Sequence, residues 1–159
     1  FGTMEALRAD VCALAQQRFD EYVAEGLRQE IPFLGYGKQY ARFAREEPEL
    51  YRLLLLTSGD GAALRAMRHS QELVRPSLMA IYHITAAEAD YYFRDMWLVS
   101  HSIATLIVTG NMDYTPEELE QITVGFSLSL CKSIKEIPGF VEGDFNKDAL
   151  FRGLVEGKK

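Results

Sequence analysis

The chain has 159 residues, 48% of them apolar and 25% charged, with a formal net charge of −6. That length supports one single-core domain over residues 1–159 rather than two, and the acidic balance argues against a surface that grips a phosphate backbone, an affinity that clustered Lys and Arg supply. No run reaches the roughly eighteen uncharged apolar residues of a membrane span. The apolar segment from Met96 to Thr109 falls short and contains His101. No signal peptide is recognisable, so no membrane partner is expected and the expected location is cytoplasmic. Cys12 and Cys131 stand far apart without CxxC spacing and are expected as free buried thiols in a reducing compartment.

Phe1 to Thr3 reads as a short turn. From Met4 to Glu25, Leu7, Val11, Leu14, Ala15, Phe19 and Tyr22 recur at three- and four-residue spacing, the stripe of an amphipathic helix. Gly26 to Gly37 contains Pro32, Gly35 and Gly37 and predicts a break. Gly35-Tyr36-Gly37 is only a fragment of GxGxxG, because Tyr40 stands where the third glycine would be and no strand precedes it. It reads as a helix start. Lys38 to Glu47 then forms a helix with Tyr40, Phe43 and Ala44 inward. Pro48 interrupts it before a short helix from Glu49 to Leu56. After a turn from Thr57 to Gly61, the segment Ala62 to Ile84 carries Leu64, Met67, Gln71, Val74, Leu78 and Ile81 on one stripe. Pro76 lacks the amide for an internal helix bond, which predicts a kink near Arg75.

Thr85 to Gly110 is the stretch around which the chain is organised. Thr85 and Glu88 fit a capping box, and two apolar stripes follow: Tyr92, Met96, Val99, Ile103 and Leu106, with Phe93, Trp97, Ala104 and Val108 beside them. A helix apolar on so many sides is normally buried. Asp90 and Arg94 are spaced for an i, i+4 pair. Asn111 to Tyr114 is a loop. Thr115-Pro116-Glu117-Glu118 is a second capping box with proline at the first helical position. The helix it opens bears Leu119, Ile122, Phe126, Leu130, Ile134 and Ile137 on one face and Gly125, Ser129 and Ser133 on another, and Pro138-Gly139 ends it. One short amphipathic stretch around Ala149 to Val155 precedes Lys158-Lys159, which are expected to fray. Without strand alternation or repeats, the class is all-α: a helical bundle of six to seven helices.

The familiar enzyme patterns fail on spacing. No Glu-x-x-His accompanies His69, His83 or His101 as a di-iron bundle requires, and HExxH, P-loop, GxSxG and EF-hand patterns are absent. No catalytic residue, metal or cofactor is therefore expected. Trp97 and His101 lie one turn apart on one helix face. Together with Tyr36, Tyr40, Phe43, Met67, Val74, Leu78 and Tyr82 they are expected to line an apolar cavity with a few polar handles, the make-up of a small-molecule site. Asp95 lies near that face as a candidate pocket anion. The alternative is an aromatic core with no cavity.

The two helices Thr85–Gly110 and Thr115–Ile137 have more apolar surface than one chain can cover. A homodimer is therefore expected through Met96, Ile103, Leu106, Ile122, Gly125, Phe126, Ser129 and Leu130, joining both copies in a four-helix bundle.

These segments resemble TetR-type transcriptional regulators. Phe1-Gly-Thr-Met-Glu-Ala-Leu7 is similar to the hinge after that family's recognition helix. Tyr40-Ala-Arg-Phe-Ala-Arg-Glu-Glu-Pro-Glu-Leu-Tyr-Arg-Leu-Leu54 resembles its YxxFAxxxPxLYxL segment. Trp97-x-x-x-His101-Ser102 resembles the signature of the subgroup with a WHG regulatory domain, with serine in place of its glycine. The resemblance covers residues 1–137 and implies an antiparallel TetR C-terminal-like bundle that senses a small apolar or aromatic effector and dimerises. It also implies that a DNA-reading helix-turn-helix lies ahead of Phe1, so DNA is a partner only through that head, and that a repressor is the expected mode. An effector would shift the first long helix and change the separation of two such heads. Two alternatives remain beside it: a dimerisation-only module with a collapsed pocket, and a helical-bundle enzyme or metal protein.

Overall fold

The computed structural model describes residues 2–57 and 61–157. Among them run seven α-helices: α1 (Met4–Leu27), α2 (Pro32–Glu46), α3 (Pro48–Tyr51), α4 (Ala62–Tyr82), α5 (Ala86–Val108), α6 (Pro116–Glu136) and α7 (Lys147–Val155). A π-helical turn, Arg52–Leu56, continues α3. No strand occurs among the described residues, and no helix there is long and apolar enough to cross a membrane.

Local chemistry sets the helix starts. Thr85 Oγ1 accepts from the Glu88 amide at 3.2 Å while the Glu88 carboxylate accepts from the Thr85 amide at 2.7 Å. Thr115 and Glu118 repeat the exchange at the same distances. Each box satisfies two amides that a helix start would otherwise leave without partners. Thr3 caps α1 and Asn146 caps α7 in the simpler way, through one side-chain oxygen.

Helix α5 packs against α2, α4 and α6. Its second stripe, Phe93, Trp97, Ala104 and Val108, is buried, as are Phe19 of α1, Tyr36, Tyr40 and Phe43 of α2, and Tyr51 of α3. The rings meet mostly edge to face or tilted, as Phe19 does with Tyr40 at 5.3 Å and Tyr36 with Phe93 at 5.4 Å between centroids. That geometry sets the positive edge of one ring against the negative face of another and adds to the area buried.

Several expectations change. Helix α2 starts at Pro32, in its first turn, rather than at Lys38, so Gly35 and Gly37 lie inside it. Proline suits that position because its missing amide is not needed there, and Gly35 is required by packing. Its backbone lies against that of Gly26 in α1: a Cβ on Gly26 would sit 2.7 Å from the Gly35 carbonyl, and one on Gly35 would collide with the Gly26 carbonyl oxygen. The inward residues of α1 begin only at Ala15. Leu7 and Leu14 are 57% and 63% exposed, because the other described helices pack against α1 mainly from Ala15 onward. On α4 the buried row is Ala66, Ser70, Val74 and Leu78, whereas Leu64 and Ile81 are exposed. The small side chains of Ala66 and Ser70 let α4 sit close to its neighbours. Pro76 lies inside α4, which is continuous from Ala62 to Tyr82, so the proline does not end the helix.

Asp90 does not pair with Arg94. It accepts from Arg75 Nε at 2.6 Å across the α4–α5 contact, and Arg94 turns to Asp95 at 2.7 Å instead. Asp95 is thereby committed to a surface ion pair. Cys12 and Cys131 are free, and they are half-buried rather than buried. Of the turn expected at 57–61 only Thr57 and Gly61 are described. Phe1 and the terminal Lys158-Lys159 also lie outside the described residues.

Candidate functional site

His101 brings the site together. Its imidazole lies flat on the Trp97 indole, which the one-turn spacing on α5 allows, with centroids 4.6 Å apart and planes 10° from parallel. Its Nδ1 is 3.1 Å from the Tyr40 hydroxyl and 3.1 Å from the Tyr51 hydroxyl. Tyr51 also reaches the His101 carbonyl at 3.2 Å and Thr105 Oγ1 at 3.0 Å.

Protonation follows from burial. Burial lowers the His101 pKa from 6.5, since a charged ring would be poorly solvated. It raises the Tyr51 phenol to about 12 and the Tyr40 phenol well above its usual value. Both phenols therefore keep their protons, and Nδ1 of a neutral imidazole accepts. The proton of the neutral ring sits on Nε2, a donor that makes no hydrogen bond within the described chain.

The structure gathers Tyr36, Tyr40, Phe43, Trp97 and His101 in one aromatic group, with Val74 and Leu78 in the same core and Met67 packed against its edge. Tyr82 stands apart from the histidine. It tilts against Tyr92, whose hydroxyl bonds that of Ser127 on α6. Tyr51, Thr105 and Ser70 belong to the site although periodicity singled out none of them. Tyr51 was visible only within the YxxFAxxxPxLYxL segment. Its partners lie about fifty residues away, where spacing along one helix carries no information.

Two buried hydroxyls of the group, Tyr36 Oη and Ser70 Oγ, make no hydrogen bond. Burial pushes the Tyr36 phenol far above its usual range, and the Ser70 hydroxyl, close enough to interact with it though not in hydrogen-bond geometry, acts in the opposite direction. An orphaned buried hydroxyl typically costs about 1–3 kcal/mol.

Beside the aromatic group, between α2, α5 and α6, lies a cavity of about 310 Å³ walled by Leu34, Gly37, Ala41, Ser100, Ile103 and Thr123. A Lys38–Glu120 ion pair of 3.0 Å stands at its rim. None of the ring-bearing residues expected to line a pocket borders this one.

Along α5 and α6 an apolar face is open. Leu98 is 51% and Phe126 55% exposed; Leu106, Gly125 and Ser129 are exposed too, and Ile103, Ile122 and Leu130 are half-buried. Apart from its own helix, nothing among the described residues comes within 4 Å of where a Gly125 Cβ would stand. Met96 differs from the rest of the expected interface: at 1% exposure it is already covered by its own chain.

An all-α domain with a buried central helix, an aromatic group holding one histidine, and an uncovered two-helix face is the class that these features define. The chain matches the family model described as tetracyclin repressor-like, C-terminal domain, over residues 33–124, more than half its length. It belongs to that family. No curated protein and no solved structure matches it.

Proposed function

We propose that this chain is the effector-sensing and dimerising part of a TetR-like transcriptional regulator of the WHG-type subgroup. A small apolar or aromatic molecule is taken up at the aromatic group, and a helix-turn-helix ahead of α1 does the DNA reading. The observation that carries this reading is the knot of His101 with Tyr40 and Tyr51. It sets a few fixed polar atoms in an otherwise apolar, ring-lined interior, as small-molecule sites do. The response runs through α1, whose C-terminal half packs on α2 beside Tyr36 and whose N-terminal half is exposed. Repression relieved by the effector is the mode this arrangement suits.

The test is a melting-shift series across neutral apolar and aromatic compounds. A ligand that binds only the folded form raises the melting temperature with its concentration. Shifts abolished by His101→Ala and Tyr40→Phe support the reading, whereas a flat series with a dimeric protein sinks it. That second outcome would favour a dimerisation-only module, the reading suggested by the tight packing of Tyr36, Tyr40, Phe43 and Val74.

A further inference from the structure

We infer that the Tyr36 and Ser70 hydroxyls form a subsite for one neutral oxygen, a carbonyl or hydroxyl, of an otherwise apolar effector. The inference rests on the effector-sensing reading and names the chemistry of the molecule it calls for.

The contrast with neighbouring residues carries it. The other buried tyrosine hydroxyls are all bonded: Tyr22 to Glu46, Tyr40 and Tyr51 to His101, and Tyr92 to Ser127. Tyr36 alone among them is not. Helical hydroxyls in this chain commonly bond the carbonyl four residues back, as Ser102, Thr123 and Ser133 do. Ser70 sits mid-helix with the carbonyl of Ala66 at that distance in sequence, yet it makes no such bond and is fully buried. Two polar groups from different helices, α2 and α4, are thus left without partners as neighbours in the core. Buried hydroxyls are normally satisfied, so such a pair calls for an explanation, and a shared ligand atom supplies one.

The surroundings select the ligand. Both hydroxyls can donate to one oxygen, and either can accept from a ligand hydroxyl. No cation stands among the hydrogen-bonding groups at this spot. His101 is held toward its neutral form and engages Tyr40 and Tyr51, while Asp20 on α1, which adds to the upward push on the Tyr36 phenol, is itself bonded to His69 at 3.1 Å. A buried carboxylate or phosphate at this spot would lack a cationic hydrogen-bond partner among the described residues. A ketone, lactone or phenol keeps the hydrogen bonds without that penalty. Met67, half-buried one turn before Ser70, is the adaptable side chain at the edge of the core.

The experiment has two arms, using wild type, Tyr36→Phe, Ser70→Ala and the double variant. Without ligand, the double variant should melt no lower than wild type, because it removes two orphaned groups rather than a hydrogen bond. A fall of several degrees means that the hydroxyls are bonded in the free protein, and it overturns the subsite. With ligand, affinities are measured for naphthalene, 2-naphthol and 2-naphthoate, which share one ring system. Wild type should bind 2-naphthol about tenfold more tightly than naphthalene, the scale of one hydrogen bond, and 2-naphthoate least tightly. The double variant should lose that preference and keep its affinity for naphthalene, with each single variant between. Equal binding of naphthalene and 2-naphthol, a preference that survives substitution, or tightest binding of 2-naphthoate would overturn the subsite and leave the effector reading standing. Wild type that binds none of the three also overturns it, and the wider melting-shift series then shows whether the effector reading falls as well.

Discussion

The His101 ring is clamped between Trp97, stacked on it at 4.6 Å, and the Tyr40 hydroxyl, 3.1 Å from Nδ1. Both contacts fit a neutral imidazole: the indole shields it from water and the phenol donates to its bare nitrogen. Protonation at Nδ1 would turn the acceptor into a donor facing two phenols.

That arrangement gives stability a pH dependence with a definite sign. Because the folded pKa of His101 lies below its ordinary 6.5, the unfolded chain binds the proton first as pH falls. Stability is therefore full above about 6.5 and declines below it, until the folded form also protonates. The melting temperature of wild type between pH 7 and pH 5 should fall more steeply than that of His101→Gln. Parallel curves would remove His101 as the cause.

Tyr51→Phe should destabilise the fold by about 1–2 kcal/mol, because Thr105 and His101 each lose a hydrogen-bond partner inside the protein. Urea unfolding measures this as a lower midpoint at unchanged slope. A midpoint equal to that of wild type would mean that water replaces the phenol at no cost.

Gly35→Ala should cost roughly 1–3 kcal/mol, since the added methyl meets backbone that cannot move aside as a side chain would. Gly125→Ala is the control. It lies in a helix with nothing within 4 Å of the new methyl, so it should leave the stability of the single chain unchanged or raise it by up to about 1 kcal/mol. Chemical denaturation of both variants checks the pair, and equal effects would refute the close α1–α2 contact.

Phe126→Glu and Ser129→Glu should turn a dimer into monomers or aggregates, since each puts a charge on the open α5–α6 face. A stable homodimer through that face would bury on the order of 2,000 Å². Sedimentation at micromolar concentration is the measurement. Wild-type protein sedimenting as a monomer would refute the interface.

What could be read from the chain beforehand divides along physical lines. Both capping boxes were legible because each is a reciprocal bond between residues three apart, which needs only a threonine and a glutamate in the right places. The inward aromatic residues of α2 and α5 followed from helical period. The start of α2 did not, because Gly35 and Gly37 look like a break until the partner helix supplies a reason for a glycine. The π-helical turn at Arg52–Leu56 left no local mark either: Arg52-Leu-Leu-Leu-Leu56 suits any helix. Its Arg52 reaches the Val108 carbonyl at the end of α5, a bond across 56 residues. The Arg75–Asp90 pair escaped for the same reason, since an i, i+4 candidate was present and the true partner lay on another helix.

The bare contact between Gly26 and Gly35 limits how far the C-terminal end of α1 can move. Backbone touches backbone there, and from Ala15 to Val23 the helix is also held by buried side chains, with Phe19 against Tyr40 and Phe43. Met4 lies about 16 Å beyond Ala15 at 1.5 Å per residue, so a tilt of about 6° about Ala15 would carry it about 1.7 Å. Tyr36, the residue after Gly35, lies on α2 beside this clamp. A small displacement of the aromatic group would thus surface as a swing of the uncovered turns that carry Leu7 and Leu14.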